Sequence, residues 1–338
     1  MKVLFCDYPY FVKYNAGIAL LSKLCQDRGI ETDLCMLSTV PVFFQKLREK
    51  SFDFVCFSAT TLYQYNKMIP FARIAKDTGH KTLLGGCWCR LDNPVDEDVF
   101  GAVCRGDGES LPDFLLNWDT RLFKAPMIHR DLNTLPIPDY ELFKDIPFVR
   151  GLPFLDGKKT LPYISSRGCP FKCAFCEVRK LTFPRARTKV ERDLRELSDR
   201  YKPDIFYIGD AQLPYWSKRW RSSWGNFRFP FVGAIRADIE PDMLLWMIDR
   251  GLKGTLFGIE AGDEKYRNRV LKKGITDDQI WRTIGVLEKY SVSFIATFMF
   301  DIPGEKFIHK TVTAEMAEKI GTARSIYFHY EDRIPWRP

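Results

Sequence analysis

Three cysteines fall within eight residues, in the segment Ser165-Ser166-Arg167-Gly168-Cys169-Pro170-Phe171-Lys172-Cys173-Ala174-Phe175-Cys176. The spacing C-x3-C-x2-C puts the sulfurs of Cys169, Cys173 and Cys176 on one side of a helical or looped turn. Gly168 and Pro170 suit a tight turn that closes around a compact ion or cluster. Thiolates favour zinc or iron–sulfur centres. Structural zinc takes four ligands, usually as two local pairs, and the nearest upstream Cys and His are Cys104 and His129. A 4Fe–4S cubane held by three protein thiolates leaves one iron open to a substrate or cofactor. The spacing therefore favours a catalytic cluster, with three packed thiols or a zinc knuckle as the alternative.

The other seven cysteines lie between Cys6 and Cys104. Cys6, Cys25, Cys35 and Cys56 sit in apolar runs and read as small buried hydrophobes. Cys87 and Cys89 flank Trp88 after a double glycine; a structural role comes first, with a cofactor contact or a second metal as the rival. Ten cysteines with no secretory signal at Met1–Asp7 suggest a reducing compartment, so a cytoplasmic location is expected. No apolar run approaches the ~20 residues that cross a bilayer, so no membrane partner is expected. The net charge of +8 is mild and suits anionic cofactors or a small-molecule or phosphate-bearing substrate. Residues 179–228 are basic, and Trp216, Trp220 and Trp224 recur at helical spacing. A helix packing its tryptophans inward is the first reading of that stretch. A stacking surface for nucleic acid is the second.

Elements that could position these residues alternate along the chain. Strands near 2–6, 32–37, 52–57, 81–84 and 101–104 are separated by helices near 16–28, 41–50 and 65–78, with another from about 110. This alternation predicts an α/β chain opening with a doubly wound, Rossmann-like parallel domain over 1–118. Residues 119–160 are proline-rich and aperiodic and read as a linker. From 161 to 338, strands near 161–166, 204–209, 229–235, 254–260, 293–300 and 325–330 predict six βα units in an open, partial barrel. Its chemistry should gather at the carboxyl ends of the strands.

The segment Arg-Gly-Cys-Pro-Phe-x-Cys-x-Phe-Cys resembles the signature loop of the radical S-adenosylmethionine (SAM) superfamily. The resemblance implies that the open iron binds SAM and that one electron from the cluster cleaves it to a 5′-deoxyadenosyl radical. An electron donor such as flavodoxin or ferredoxin would supply that electron. Phe175 in the loop would lie against SAM. Tyr207-Ile208-Gly209-Asp210 resembles the family's second strand end, with Asp210 facing the cavity. Arg236, in Gly233-Ala234-Ile235-Arg236, would pair with the SAM carboxylate. Glu260, in Phe257-Gly258-Ile259-Glu260, would lie near the SAM ribose or amine, and the backbone at Ile302 near adenine. Asp301 departs from the family, whose members usually carry glycine there.

The first half is similar to the cobalamin-binding domain that precedes many radical SAM barrels. Asn15-Ala16-Gly17, Ser58 with Thr60 and Thr61, Gly85-Gly86, and Gly106 with Glu109 all fall in loops at strand carboxyl ends and would line that cofactor. None of His80, His129, His309 and His329 sits in an Asp-x-His-x-x-Gly loop, which implies cobalt without a protein imidazole or a domain that has lost the cofactor. The resemblance thus implies a cobalamin-dependent enzyme that methylates an unactivated carbon or phosphorus centre. The alternatives are a rearrangement, cyclisation or oxidation catalyst without methyl transfer, or a non-catalytic iron–sulfur sensor.

Overall fold

The computed structural model describes residues 1–8, 14–90, 93–118, 131–146, 152–176, 178, 182–213 and 228–329. It divides into two compact units, Met1–Leu152 and Pro153–Pro338.

In the first unit, β1 (Lys2–Asp7) is followed by α1 (Ala16–Gln26), β2 (Glu31–Met36), α2 (Val40–Glu49) and β3 (Phe54–Ser58). Then come α3 (Leu62–Asp77), β4 (Lys81–Gly85), β5 (Ala102–Val103) and α4 (Leu111–Asn117). The five strands are parallel, in the order β2-β1-β3-β4-β5. Apolar residues such as Val3, Leu4, Phe5, Val55 and Cys56 are buried on both faces of the sheet, which is why helices must cover each side. The chain winds one way from β1 to β2 and the other way from β3 onward. A topological switch point therefore lies between β1 and β3, where Asp7 stands in register with Ser58. In such sheets the crevice beyond the strand ends at that point is the ligand site.

The loops after β3 and β4 touch closely. Gly86 adopts φ 100°, and a Cβ on it would lie 2.2 Å from the Ala59 carbonyl oxygen. Gly86→Ala should therefore destabilise this unit by about 3 kcal/mol, from left-handed strain plus a backbone clash, and equilibrium denaturation will register it.

Residues 131–146, part of the stretch read as a linker, are ordered and pack on this unit. Leu132, Leu135, Tyr140 and Phe143 are buried, and Tyr140 stacks on Tyr14 with centroids 6.2 Å apart. The Asp139 amide donates to the Ala19 carbonyl at 3.3 Å. Residues 119–130 and 147–151 of the stretch expected as a linker lie outside the described residues, as do Trp216, Trp220 and Trp224, and its end, 152–160, runs into the strand Thr160–Tyr163.

The second unit starts with β6 (Thr160–Tyr163) and a short antiparallel ribbon of β7 (Ser166–Arg167) and β8 (Phe183–Pro184). Helix and strand then alternate: α5 (Arg187–Tyr201), β9 (Ile205–Ile208), β10 (Phe231–Ala234), α6 (Pro241–Asp249) and β11 (Leu252–Glu260). The unit continues with α7 (Glu264–Arg269), α8 (Asp277–Lys289), β12 (Ser293–Phe300), α9 (Phe307–Ile320) and β13 (Ser325–His329). Strands β6 and β9 to β13 form one parallel sheet whose spatial order is the chain order. That is how a barrel wall is built, with β6 and β13 as its edges. The first strand is shorter than its apolar run suggests. The amides of Ser165 and Ser166 leave the ladder and donate to Asp210 at 2.7 and 3.0 Å, and the chain turns into β7.

Among the described residues no helix is long and apolar enough to cross a membrane.

Candidate active site

The cysteine loop follows β7 at the carboxyl end of the second sheet. Gly168, at φ 85°, makes the turn into it, a conformation that costs glycine little. None of the ten cysteines, all of them among the described residues, forms a disulfide. Cys169, Cys173 and Cys176 are partly exposed, whereas Cys6, Cys25, Cys35, Cys56, Cys89 and Cys104 are buried. Three thiols packed away as small hydrophobes therefore do not describe this loop. Among the described residues no three Cys, His, Asp or Glu side chains are grouped as ligands of a single metal ion. A cubane takes each thiolate on a different iron and does not ask for that convergence.

The loop is docked by specific contacts. The Ala174 amide donates to the Leu271 carbonyl at 2.9 Å, and the Cys176 amide to the Cys173 carbonyl at 3.2 Å. Cys169 Sγ donates to Gln212 Oε1 at 3.7 Å, and Arg236 Nη1 donates to Cys173 Sγ at 3.8 Å. The Arg236 guanidinium lies over the Phe171 ring, 3.7 Å from its centroid. The donor set fits a 4Fe–4S cluster: three accessible thiols, one of them held by a buried arginine.

Arg236 follows β10, as the sequence predicts, but its fork is already engaged. Nε and Nη2 donate to Asp238 at 3.0 Å each, and Nη2 donates to the Lys273 carbonyl at 2.6 Å. In this arrangement Arg236 ties the cysteine loop to the 271–273 segment.

Glu260 ends β11 in the left-handed region at φ 71°, beside a register shift in the β11–β12 pairing. Such a conformation costs a non-glycine residue about 1–3 kcal/mol and is kept where neighbours enforce it. Here the enforcing partner is Lys273, whose Nζ donates to Glu260 Oε1 at 2.8 Å and lies 5.5 Å from the Phe175 centroid. Gly258 makes the room: a Cβ there would lie 1.8 Å from Glu260 Oε1 and 2.7 Å from Lys273 Nζ. Both atoms end flexible side chains. Gly258→Ala should thus cost only about 1 kcal/mol in stability. On the expectation that Glu260 meets SAM, displacing the pair should weaken SAM affinity about tenfold, a loss of roughly one charged hydrogen bond, measurable by equilibrium dialysis.

Phe175 packs against a small cluster of Ala261, Tyr266, Leu271, Met299 and Ile302. The loop and Ile302 therefore share one apolar wall. The Ile302 backbone is occupied locally: its amide donates to Glu305 Oε2 at 3.4 Å, and its carbonyl accepts from the Glu305 amide at 2.9 Å. Asp301 stands at φ 62°, the shape that glycine would adopt freely, and Lys310 Nζ donates to its carboxylate at 2.5 Å. Aspartate tolerates this region better than most residues, so the departure at 301 leaves the turn intact.

Asp210 is a brace. Oδ1 accepts from the amides of Ser165 and Ser166, and Oδ2 from their hydroxyls at 2.6 and 2.7 Å. Four donors fill a carboxylate, so the expected cavity-facing role gives way to holding the chain just before Cys169. Burial raises its pKa to about 6, against the lowering effect of the serine hydrogen bonds.

Asp210, Arg236, Glu260 and Ile302 are therefore all at the strand ends where sequence places them. Lys273, Asp238 and Gln212 were not singled out. Lys272-Lys273-Gly274 reads as an ordinary charged turn, and only the Gly258 gap and the strained Glu260 show what Lys273 answers to.

In the first unit, Asn15 caps α1. Its Oδ1 accepts from the Gly17 and Ile18 amides at 3.0 and 3.2 Å, next to Ala16. Thr61 caps α3 by accepting from the Gln64 amide at 3.2 Å, while the Thr60 amide donates to Gln64 Oε1 at 2.9 Å. Gly85 accepts from the Ala59 amide at 3.0 Å, holding the loops after β3 and β4 together. Gly106 accepts from Cys104 Sγ at 3.8 Å, and Glu109 lies in the short turn before α4. Cys87 is exposed and Cys89 buried, with its thiol pushed up to about 12 by burial. The two are thus poorly suited to act as one ligand pair. Burial likewise pushes the Asp7 carboxyl up to about 7.

No protein-family model matches the chain. It is 25% identical over 194 residues to an uncharacterized methyltransferase of Synechocystis sp., covering 52% of this chain and 34% of that protein. It is 25% identical over 207 residues to an uncharacterized methyltransferase of Pyrococcus horikoshii, covering 58% and 43%. The chain thus spans less than half the length of either relative. Among solved structures it is similar to coproporphyrinogen III oxidase of Escherichia coli, described as a radical SAM enzyme. That match has 15% identity and a TM-score of 0.40 over 52% of this chain and 44% of that one. A cobalamin-binding protein of Desulfitobacterium hafniense is similar at 16% identity and a TM-score of 0.28, over 35% and 58%.

Proposed function

We propose that this chain is a cobalamin-dependent radical SAM methyltransferase acting on an unactivated carbon or phosphorus centre of a small or phosphate-bearing substrate. Cys169, Cys173 and Cys176 would hold a 4Fe–4S cluster in the second unit, and the first unit would hold cobalamin at its switch point. When bound, the cluster supplies the electron that cleaves SAM and cobalamin carries the methyl group.

The observation that carries this reading is the docking of a three-cysteine loop at the carboxyl end of a parallel sheet. A buried arginine touches one thiol, and a strained glutamate and its lysine partner stand beside Phe175. The protein's own part is to fix the loop through Asp210, Arg236 and Leu271, and to keep Glu260 and Lys273 poised. Phe175 and Ile302 wall one side with apolar surface that excludes water. The names of the two sequence relatives support methyl transfer as the outcome.

The test is anaerobic incubation of the reconstituted protein with SAM and a strong reductant. Formation of 5′-deoxyadenosine is expected. An intact cluster that yields none would replace this reading with that of an iron–sulfur sensor.

A further inference from the structure

Asp7 is the last residue of β1, at the switch point of the first sheet, and only 4% of it is exposed. Asn15 Nδ2 donates to its Oδ2 at 3.3 Å and the adjoining Tyr8 amide favours the charged carboxylate, whereas Oδ1 is buried and makes no hydrogen bond of normal geometry. Leaving such an acceptor unsatisfied is costly, and natural structures keep one where something else completes it. The neighbouring donors are already committed. The amides of Gly17 and Ile18 go to Asn15, and those of Thr60 and Gln64 go to Gln64 Oε1 and Thr61 Oγ1. Gln64 Nε2 donates to the Tyr8 carbonyl at 2.7 Å. The loop ends beside β1 and β3 therefore withhold these donors from a phosphate and leave a buried acceptor unfilled.

We propose that Asp7 is a ligand-binding residue at the switch point, taking on Oδ1 an N–H from a primary amide on the rim of a corrin ligand. A corrin ring carries primary amide side chains around its edge, which are donors of the kind this acceptor lacks. The inference rests on the cobalamin reading above and adds to it a specific contact residue.

The experiment is equilibrium titration of hydroxocobalamin into the full chain, followed by absorption, for wild type, Asp7→Ala and Asp7→Asn, with thermal melting of each unloaded protein. Asp7→Ala should weaken binding about tenfold, the loss of one hydrogen bond. The same variant should leave the melting temperature of the unloaded chain equal or higher, because an orphaned buried carboxyl has gone. A residue that only props up the fold would lower both. Asp7→Asn keeps one acceptor oxygen, should weaken binding less, and serves as the deciding variant if alanine does not fold. Unchanged affinity in the variants overturns the role of Asp7 and leaves cobalamin binding standing. A wild type that takes up no hydroxocobalamin overturns both.

Discussion

Cys173→Ala should yield a folded protein that retains at least about 100-fold less iron after reconstitution, since even the partners that merely orient metal ligands are worth 10–100-fold. The thiol is partly exposed, so its loss removes little packing. Arg236 keeps Asp238 and the Lys273 carbonyl when the sulfur goes. The unloaded variant should therefore melt within about 0.5 kcal/mol of wild type. Cys169→Ala and Cys176→Ala should behave alike. Cys89→Ala is the control: its thiol is buried and packed in the first unit, so iron content should not change while stability falls. Iron and sulfide counts beside denaturation curves separate the two patterns.

The second large effect belongs to a residue that touches no cofactor. Asp210→Ala strands two backbone amides and two hydroxyls just before the cysteine loop. The hydroxyls can turn to other partners, but the amides cannot. At about 1–3 kcal/mol for each stranded group, a loss of about 4 kcal/mol is expected, together with loss of the cluster. Asp210→Asn keeps one oxygen for the two amides and offers an NH2 that the hydroxyls can accept, so it should cost about 1 kcal/mol. The pH dependence follows from the direction of the shift. Burial raises the folded pKa to about 6, above the ordinary carboxylate range. The contribution of Asp210 to stability is then full below about pH 4 and is lost as pH rises through 6. Wild type should therefore lose stability relative to Asp210→Asn between about pH 4 and 6, with a constant difference above that window. Melting both proteins across pH 4–7 checks the sign.

Much of this was legible in the sequence because strand and helix alternate with different periods. The runs at 52–57, 81–84, 254–260 and 293–300 became strands β3, β4, β11 and β12 with shifts of at most two residues. The start of α3 lies a turn earlier than its apolar spacing suggests, because Thr61 and Gln64 form a cap there. The early end of β6 was not legible, since it depends on Asp210 forty-four residues later in the chain reaching back to Ser166. The packing of 131–146 was hidden for a related reason. Its anchors, Leu132, Leu135, Tyr140 and Phe143, are spaced irregularly between prolines and carry no period. The cysteine loop was the clearest signal, because ligand spacing is local. What holds that loop, through Lys273, Asp238, Gln212 and Gly258, comes from four separate segments that only the folded sheet brings together.

A cluster with a vacant iron corner must sense the arrival of SAM. The direct measurement is the electron paramagnetic resonance spectrum of the anaerobically reduced protein, recorded before and after SAM is added. The account predicts a 4Fe–4S signal whose g-values shift on addition. A reduced cluster whose spectrum is the same with and without saturating SAM would contradict it.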